Sequence, residues 1–410
     1  MFLKIPMGVP AWDKKIFSCV FREIITGAIF ESSYYQDALR EELCRLLNVK
    51  YCLLTDLGRI ALEIGLKALG LKPKDGIILP SYVCASVLLP ILKLKCEPQF
   101  ADIGEDLNIS PESIEKTIKS NTKAIIVPHL YGCPAPIKEI LEIARQKGLY
   151  VIDDAAQCLG AKVEKQYIGT FGDIGILSFG PFKVISATRG GSLITNNYEI
   201  FERVQRIYVK KASEKAALDR FWKSLVKFRY RKYFYNFFQI YRKKKQNLEF
   251  SNKFFLQKIN IFKDYPNEYV AMSNLDAFLI YLQIKKINQI INKKTLLGHR
   301  LAKHIQTEVP EVILPKWLKN GSIFLKFVIK LPFTLSCSNV IELFRKYGIE
   351  AWSGYTPLHL KYGFNNYKLP LTEKMYNKII TLPLNFEENE TDIMEISSIL
   401  ENLKQKIKYE

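Results

Sequence analysis

From about residue 50 the chain alternates short apolar runs with stretches of helical spacing. Tyr51-Cys-Leu-Leu-Thr55 opens the series. Ile77-Ile-Leu-Pro80, Pro98-Gln-Phe-Ala-Asp102, Ala124-Ile-Ile-Val-Pro128, Leu149-Tyr-Val-Ile-Asp153 and Ile174-Gly-Ile-Leu-Ser178 follow, each reading as a buried strand. Apolar positions in Ile60–Leu69 and in 137–147 recur at helical spacing instead. Near-continuous apolar strands with helices between them predict an α/β fold, a mostly parallel sheet covered on both faces. Ligands of such sheets bind beyond the carboxyl ends of the strands. The last third changes character. Ser322–Leu331 reads as a strand, Ser338–Tyr347 as a helix stopped by Gly348, and Thr391–Ile407 as a terminal helix. Strands mixed with flanking helices predict a smaller C-terminal α+β domain.

Composition narrows the class. The chain has 410 residues, 48% of them apolar, enough for a large core and two closely associated domains. No run of eighteen apolar residues lacks charge, so no membrane-spanning helix is expected. The first ten residues lack a secretory layout. The eight cysteines are scattered and form no CxxC pair, which predicts a reduced, cytoplasmic protein without a zinc site.

The net charge of +19 is concentrated. Residues 203–263 hold 18 Lys+Arg against 3 Asp+Glu, which accounts for +15 of it. The basic character therefore belongs to an insertion, and this argues against nucleic acid as the partner of the whole protein. Within the insertion Tyr230, Tyr233, Phe234, Phe237, Phe238 and Tyr241 form one stripe at helical spacing, beside Arg229, Arg231, Lys232 and Arg242-Lys-Lys-Lys245. Three readings stay open: packing on the body or on a partner subunit, a peripheral membrane contact through 221–245, and nucleic-acid binding by stacking.

The chemistry lies where two strands end. Val151-Ile-Asp-Asp-Ala-Ala-Gln157 puts carboxylates at the end of one strand. Ile174-Gly-Ile-Leu-Ser-Phe179 is followed by Gly180-Pro-Phe-Lys183. Neighbouring strand ends place these groups on opposite sides of one flat ligand. Pyridoxal phosphate (PLP) needs such a pair, a lysine amine for the Schiff base and an acidic partner for the pyridinium nitrogen. Lys183 and a carboxylate of the Asp153-Asp154 pair are the candidates. The phosphate is expected at the helix start after Leu57, where Gly58 allows close approach and Arg59 adds a charge.

The same stretches resemble the DegT/StrS family of PLP-dependent sugar aminotransferases, of the aspartate aminotransferase fold type. The resemblance rests on Asp153-Asp-Ala-Ala-Gln157, Ser178-Phe-Gly-Pro-Phe-Lys183, Gly190-Gly-Ser-Leu-Ile-Thr-Asn196, Val127-Pro-His-Leu-Tyr-Gly132 and Tyr355-Thr-Pro-Leu-His359, and covers roughly 20–200 and 265–405. It implies that the second acid of the first motif, Asp154, meets the ring nitrogen, that Gln157 reaches the ring hydroxyl, and that Ser178 is a second phosphate ligand. Two departures stand out. Pro80-Ser-Tyr-Val-Cys84 puts Cys84 where the family has a stacking aromatic ring, leaving Tyr82 as a substitute if it turns inward. Asn267-Glu-Tyr-Val-Ala-Met-Ser273 puts Tyr269 where relatives carry an asparagine that reaches the partner subunit's phosphate. His129, Arg189 and His359 are candidates for substrate contact.

The expected organisation is a large PLP-binding domain over 15–202, the insertion over 203–264, a connecting helix over 265–300 and the small domain over 301–410. The resemblance implies a homodimer that moves an amino group, from glutamate, to a keto-deoxysugar nucleotide for surface polysaccharide synthesis. The alternative is a catalytically weak, membrane-associated scaffold that keeps the cofactor fold.

Overall fold

The computed structural model describes residues 14–31, 33–227, 265–314, 322–332, 335–384 and 390–407, with positions 3, 5–7, 12 and 262. The apolar runs form strands β1 (Tyr51–Thr55), β2 (Gly76–Pro80), β3 (Glu97–Ala101), β4 (Thr122–Pro128) and β5 (Tyr150–Asp154). A short hairpin, β6 (Lys162–Val163) and β7 (Gln166–Tyr167), precedes β8 (Ile174–Ser178) and β9 (Gly191–Thr195). Seven of these make one sheet in the order β1-β9-β8-β5-β4-β2-β3. β9 pairs antiparallel with both neighbours, whereas β2–β3, β2–β4, β4–β5 and β5–β8 pair parallel. β1 therefore runs with the parallel set, and β9 alone is reversed.

Strand alternation divides the core between the two faces. Ile77, Leu79, Ile126, Ile152, Ile174, Ile176 and Leu193 feed one cluster. Ile78, Ile125, Val127, Val151, Leu177 and Ile194 feed the other. The helix Gly58–Ala68 lies within the first face with Ile60, Ala61, Leu62, Ile64 and Leu66 all buried. A helix buried everywhere but at its first two residues and Lys67 must satisfy any charge on its buried sides. Glu63, fully buried, accepts from Lys93 Nζ at 3.2 Å, from Tyr265 Oη at 2.7 Å and from the Tyr269 hydroxyl. On the opposite face helix Asn274–Ile284 is capped by Ser273, whose hydroxyl accepts from the Asp276 N–H at 3.0 Å.

The first cluster continues into the C-terminal part, where β10 (Phe327–Lys330), β11 (Trp352–Ser353) and β12 (Ile379–Leu382) form an antiparallel sheet in the order β10-β12-β11. Helix Cys337–Lys346 lies against this sheet, and Glu390–Ile407 packs on both Cys337–Lys346 and the long helix Ile287–Glu308. The connection expected as one helix is two, Asn274–Ile284 and Ile287–Glu308. Helices Lys14–Ile25 and Tyr34–Leu47 precede the alternation.

The aromatic stripe Tyr230, Tyr233, Phe234, Phe237, Phe238, Tyr241 and its cationic neighbours lie outside the described residues. Just before them residues 214–227 are helical. There Phe221 is buried against Trp12, at 5.4 Å between rings, and Phe17, at 6.5 Å. Among the described residues no helix is long and apolar enough to cross a membrane.

The two sheets are joined at a backbone seam. Ile323 N–H donates to the Gly132 carbonyl at 3.0 Å and Leu325 N–H to the Tyr131 carbonyl at 3.1 Å. Gly132 has φ +96°, and a Cβ there would collide with the Ile323 carbonyl oxygen. Asp102 at the end of β3 adds a second tie, accepting from the Leu371 and Thr372 N–H groups at 2.9 and 2.8 Å. Gly132→Ala is therefore expected to cost more than about 1 kcal/mol. The check is a lowered denaturant midpoint for the substituted chain.

Candidate active site

The carboxyl ends of β1, β2, β5 and β8 converge on a cavity of about 300 Å³. Gly58, Arg59, Cys84, Asp154, Gln157, Ser178 and Lys183 all line it. They come from four strand ends and are separated by up to 125 positions in sequence.

β5 ends in two carboxylates that alternation sends to opposite faces. Asp153 turns away from the cavity and is fully satisfied. Its Oδ2 accepts from the Gly169 and Phe171 N–H groups at 2.8 and 2.9 Å, and its Oδ1 is 2.7 Å from His129 Nε2. His129 Nδ1 accepts from the Ala135 N–H at 2.8 Å, so the ring's own proton is assigned to Nε2 and donated to Asp153. Asp154 faces the cavity and is 6% exposed. Burial pushes its carboxyl pKa up, against the pull of the Ala156 N–H, Lys183 and His129.

Lys183 sits in the loop between β8 and β9. The loop is closed by Phe179 N–H donating to the Gly190 carbonyl at 2.9 Å and Ala187 N–H donating to the Phe179 carbonyl at 2.7 Å. Helix Asn274–Ile284 clamps it from outside. Gln283 donates to the Ser186 carbonyl at 2.8 Å and accepts from the Ser186 N–H at 3.1 Å, and Asp276 accepts from the Thr188 N–H at 2.9 Å. Burial lowers the Lys183 pKa, while Cys84 and Asp154 raise it. The lysine is thereby biased toward the neutral amine that a nucleophile requires.

At the other end of the cavity the helix Gly58–Ala68 begins after Leu57 in an extended conformation. A helix start offers N–H groups without intrahelical partners and the positive end of the dipole. Gly58 is needed for close approach, since a Cβ there would stand 3.1 Å from Ser178 Cβ and 3.2 Å from the Leu177 carbonyl oxygen. Arg59 adds a guanidinium seated over the Tyr265 ring, 5.6 Å from its centroid. The set suits PLP. Helix start, Arg59 and Ser178 suit its phosphate, Asp154 its ring nitrogen, and Lys183 its aldehyde. Gln157 is held by the Tyr131 N–H at 3.2 Å and the Tyr355 hydroxyl at 3.1 Å.

Four expected site residues lie outside this cavity. Tyr82 does not turn inward. It is fully buried, with its hydroxyl 3.0 Å from that of Tyr131 and its ring edge-on to Tyr355. His129 is a brace between Asp153 and Ala135, with no nitrogen left for a substrate. His359 is buried, with Nδ1 2.6 Å from Ser81 Oγ and Nε2 3.3 Å from Glu373, so it ties the small domain to the end of β2. Arg189 pairs with Asp56 at 3.2 Å. Tyr269 gives its hydroxyl to Glu63 of the same chain.

Sequence reasoning missed Val83, Ser86, Val87, Ala156 and Ile176 on the cavity wall. Ser86 carried a usable signal, a hydroxyl in the apolar run after Cys84. The others look like any core residue until the strand ends converge.

The model of the DegT/DnrJ/EryC1/StrS aminotransferase family matches residues 13–237 and 241–401. A GDP-perosamine synthase of Vibrio cholerae is 30% identical over 228 residues, covering 55% of this chain and 61% of that protein. A UDP-N-acetyl-3-dehydro-alpha-D-glucosamine 3-aminotransferase of Acidithiobacillus ferrooxidans is 34% identical over 208 residues, covering 48% and 56%. The matched stretch thus spans less than two thirds of either relative. The solved structure of a DegT DnrJ EryC1 StrS aminotransferase from Brucella abortus superposes with a TM-score of 0.73 at 20% identity, covering 96% of each chain. With the family model spanning nearly the whole chain, the protein belongs to the DegT/DnrJ/EryC1/StrS aminotransferase family.

Proposed function

We propose that this chain moves an amino group from an amino-acid donor, glutamate, to a keto carbon of a nucleotide-linked deoxysugar. The observation that carries the reading is Lys183 and Asp154 lining one desolvated cavity that ends at the Gly58 helix start. The perosamine synthase and the UDP-sugar aminotransferase among its relatives support the substrate class. Surface polysaccharide is the destination that this class suggests. A cytoplasmic homodimer is the setting that the family resemblance implies.

When bound, PLP supplies an electron sink for the carbon next to the transferring nitrogen. The protein supplies everything around it. Lys183 Nζ, held toward its neutral form by burial, would hold the cofactor's aldehyde end and would move the proton at the substrate carbon. Asp154 would be the anionic partner of the ring nitrogen, and Gln157 would hold the ring's orientation. Arg59 would offset the phosphate charge, with Ser178 and the helix start as hydrogen-bond donors. The wall of Val83, Val87 and Ile176 keeps the proton-transfer region apolar.

The direct test is the visible absorbance of purified, PLP-loaded protein with and without glutamate, followed by a screen of keto-deoxysugars linked to GDP, UDP and TDP. An unresponsive spectrum with every amino donor would falsify the reading. Lys183→Ala should leave no borohydride-fixed cofactor on the protein, detected by mass. The two adjacent carboxylates should separate cleanly. Asp154→Asn should keep stability and cripple the glutamate half-reaction. Asp153→Asn should largely spare that half-reaction but lower stability by about 1–3 kcal/mol, because one buried donor loses its acceptor. Stopped-flow absorbance and denaturant unfolding measure the two effects, and the reverse ranking would assign the ring partner to Asp153. Arg59→Ala should weaken PLP binding by about 1.5–3 kcal/mol, the range for a hydrogen bond to a charged group; equilibrium dialysis of the cofactor reads this out.

A further inference from the structure

The insertion reaches the loop that carries Lys183. Its first described helix, residues 214–227, is bonded to helix Asn274–Ile284, the element that clamps that loop. Glu214 caps the start of the clamp, its carboxylate accepting from the Asn274 and Leu275 N–H groups at 2.6 and 3.1 Å. Less than two turns on, Arg220 Nη2 lies 3.4 Å from Asp276 Oδ2. Phe221, the next residue, packs on Trp12, whose indole N–H donates to the Ser186 carbonyl at 2.8 Å.

Asp276 joins the two helices to the loop. It is 1% exposed. Its Oδ1 accepts from the Thr188 N–H at 2.9 Å, the Thr188 hydroxyl at 2.6 Å and the Arg189 N–H at 3.3 Å. Its Oδ2 accepts from the Ser273 hydroxyl at 2.7 Å. Thr188 and Arg189 lie in the same loop as Lys183, between β8 and β9. Taking a carboxylate out of water is costly unless hydrogen bonds and a cation compensate it. Among the described residues Arg220 is the side-chain cation at ion-pair distance from Asp276.

We propose that Arg220 is a positioning residue for the cofactor lysine, acting through Asp276 and Thr188, an inference that rests on the aminotransferase reading of the site. Its contribution is charge. An anionic Asp276 accepts at both oxygens, and three donors of the loop share one of them. Without the guanidinium the buried carboxylate carries an uncompensated charge. It relieves that charge by turning to water or by taking a proton, and either change takes an acceptor from the loop. The loop then shifts at Thr188, and Lys183 Nζ moves off the reacting carbon. Arg220 does not line the cavity, so it acts on the rate and not on donor binding.

The test uses wild type, Arg220→Met, the double variant Arg220→Met with Asp276→Asn, and Lys223→Met. Lys223 pairs with Asp219 on the same helix at 2.6 Å and is exposed, so its loss controls for removing a cation from that helix. Stopped-flow absorbance of the PLP-loaded proteins gives the maximal rate and the half-saturating concentration of the glutamate half-reaction. Hydrogen–deuterium exchange, with and without PLP, reads the loop itself. Arg220→Met should lose about ten- to a hundredfold in maximal rate, the scale of an ångström-sized misplacement. Its half-saturating glutamate concentration should stay within about twofold, since no substrate contact is removed. Amides of residues 184–190 should exchange faster, and those of β4 and β5 should not. The double variant should regain most of the rate, because a neutral amide still accepts from Thr188 and needs no cation. Lys223→Met should match wild type. Arg220→Gln takes the place of Arg220→Met in every comparison if Arg220→Met does not fold. Wild-type rate and loop exchange in the Arg220 variant, a change confined to glutamate saturation, a double variant no faster than the single one, or an equal loss in Lys223→Met would each overturn the assignment. A wild type that ignores every amino donor, with the exchange difference still present, would instead overturn the aminotransferase reading and leave the tie between Arg220 and the loop in place.

Discussion

The site depends on one buried carboxylate that does no chemistry. Asp153 collects the N–H groups of Gly169 and Phe171 and the imidazole of His129. These partners belong to the segment leading into β8 and to the loop after β4. A buried carboxylate left short of partners is costly, so the three bonds are obligatory once β5 is in the sheet. They fix the orientation of the strand end, and strand alternation then sends Asp154 into the cavity. The functional carboxylate is aimed by its structural neighbour.

Desolvation then does most of the electrostatic work. The same burial that raises the pKa of Asp154 lowers that of Lys183. Each group partly offsets the other, since an opposite charge nearby favours the ionised form of both. On the proposed function the lysine must be able to lose its proton and the aspartate must remain an anion opposite a cationic ring. A cavity walled by Val83, Val87 and Ile176 supplies the first condition, and the Ala156 N–H at 3.0 Å from Asp154 supports the second.

The phosphate end shows a different solution. Arg59 is seated on Tyr265, and both Tyr265 and Tyr269 are held by the buried Glu63 of the same helix as Arg59. Lys93 lies within 4.7 Å of the Tyr265 ring centroid and completes the cluster. The segment that follows the insertion is thereby tied to the helix that starts at the cofactor site.

The sequence by itself determined the alternation of strands and helices, the parallel sheet, and the two strand ends that carry Asp154 and Lys183. Those features are local. Period, apolar content and turn chemistry within a few residues of each other fix them. Tertiary structure alone decided which polar groups near those ends face the cavity. Tyr82 and Cys84 are two positions apart, yet one packs beneath Tyr131 and the other lines the site. His129, Arg189 and His359 looked equally available, and their partners Asp153, Asp56 and Ser81 lie 24, 133 and 278 positions away. Periodicity reports the face on which a side chain leaves its own element. It carries no information about the distant element waiting on that face, and for a buried polar group that partner decides between bracing and chemistry.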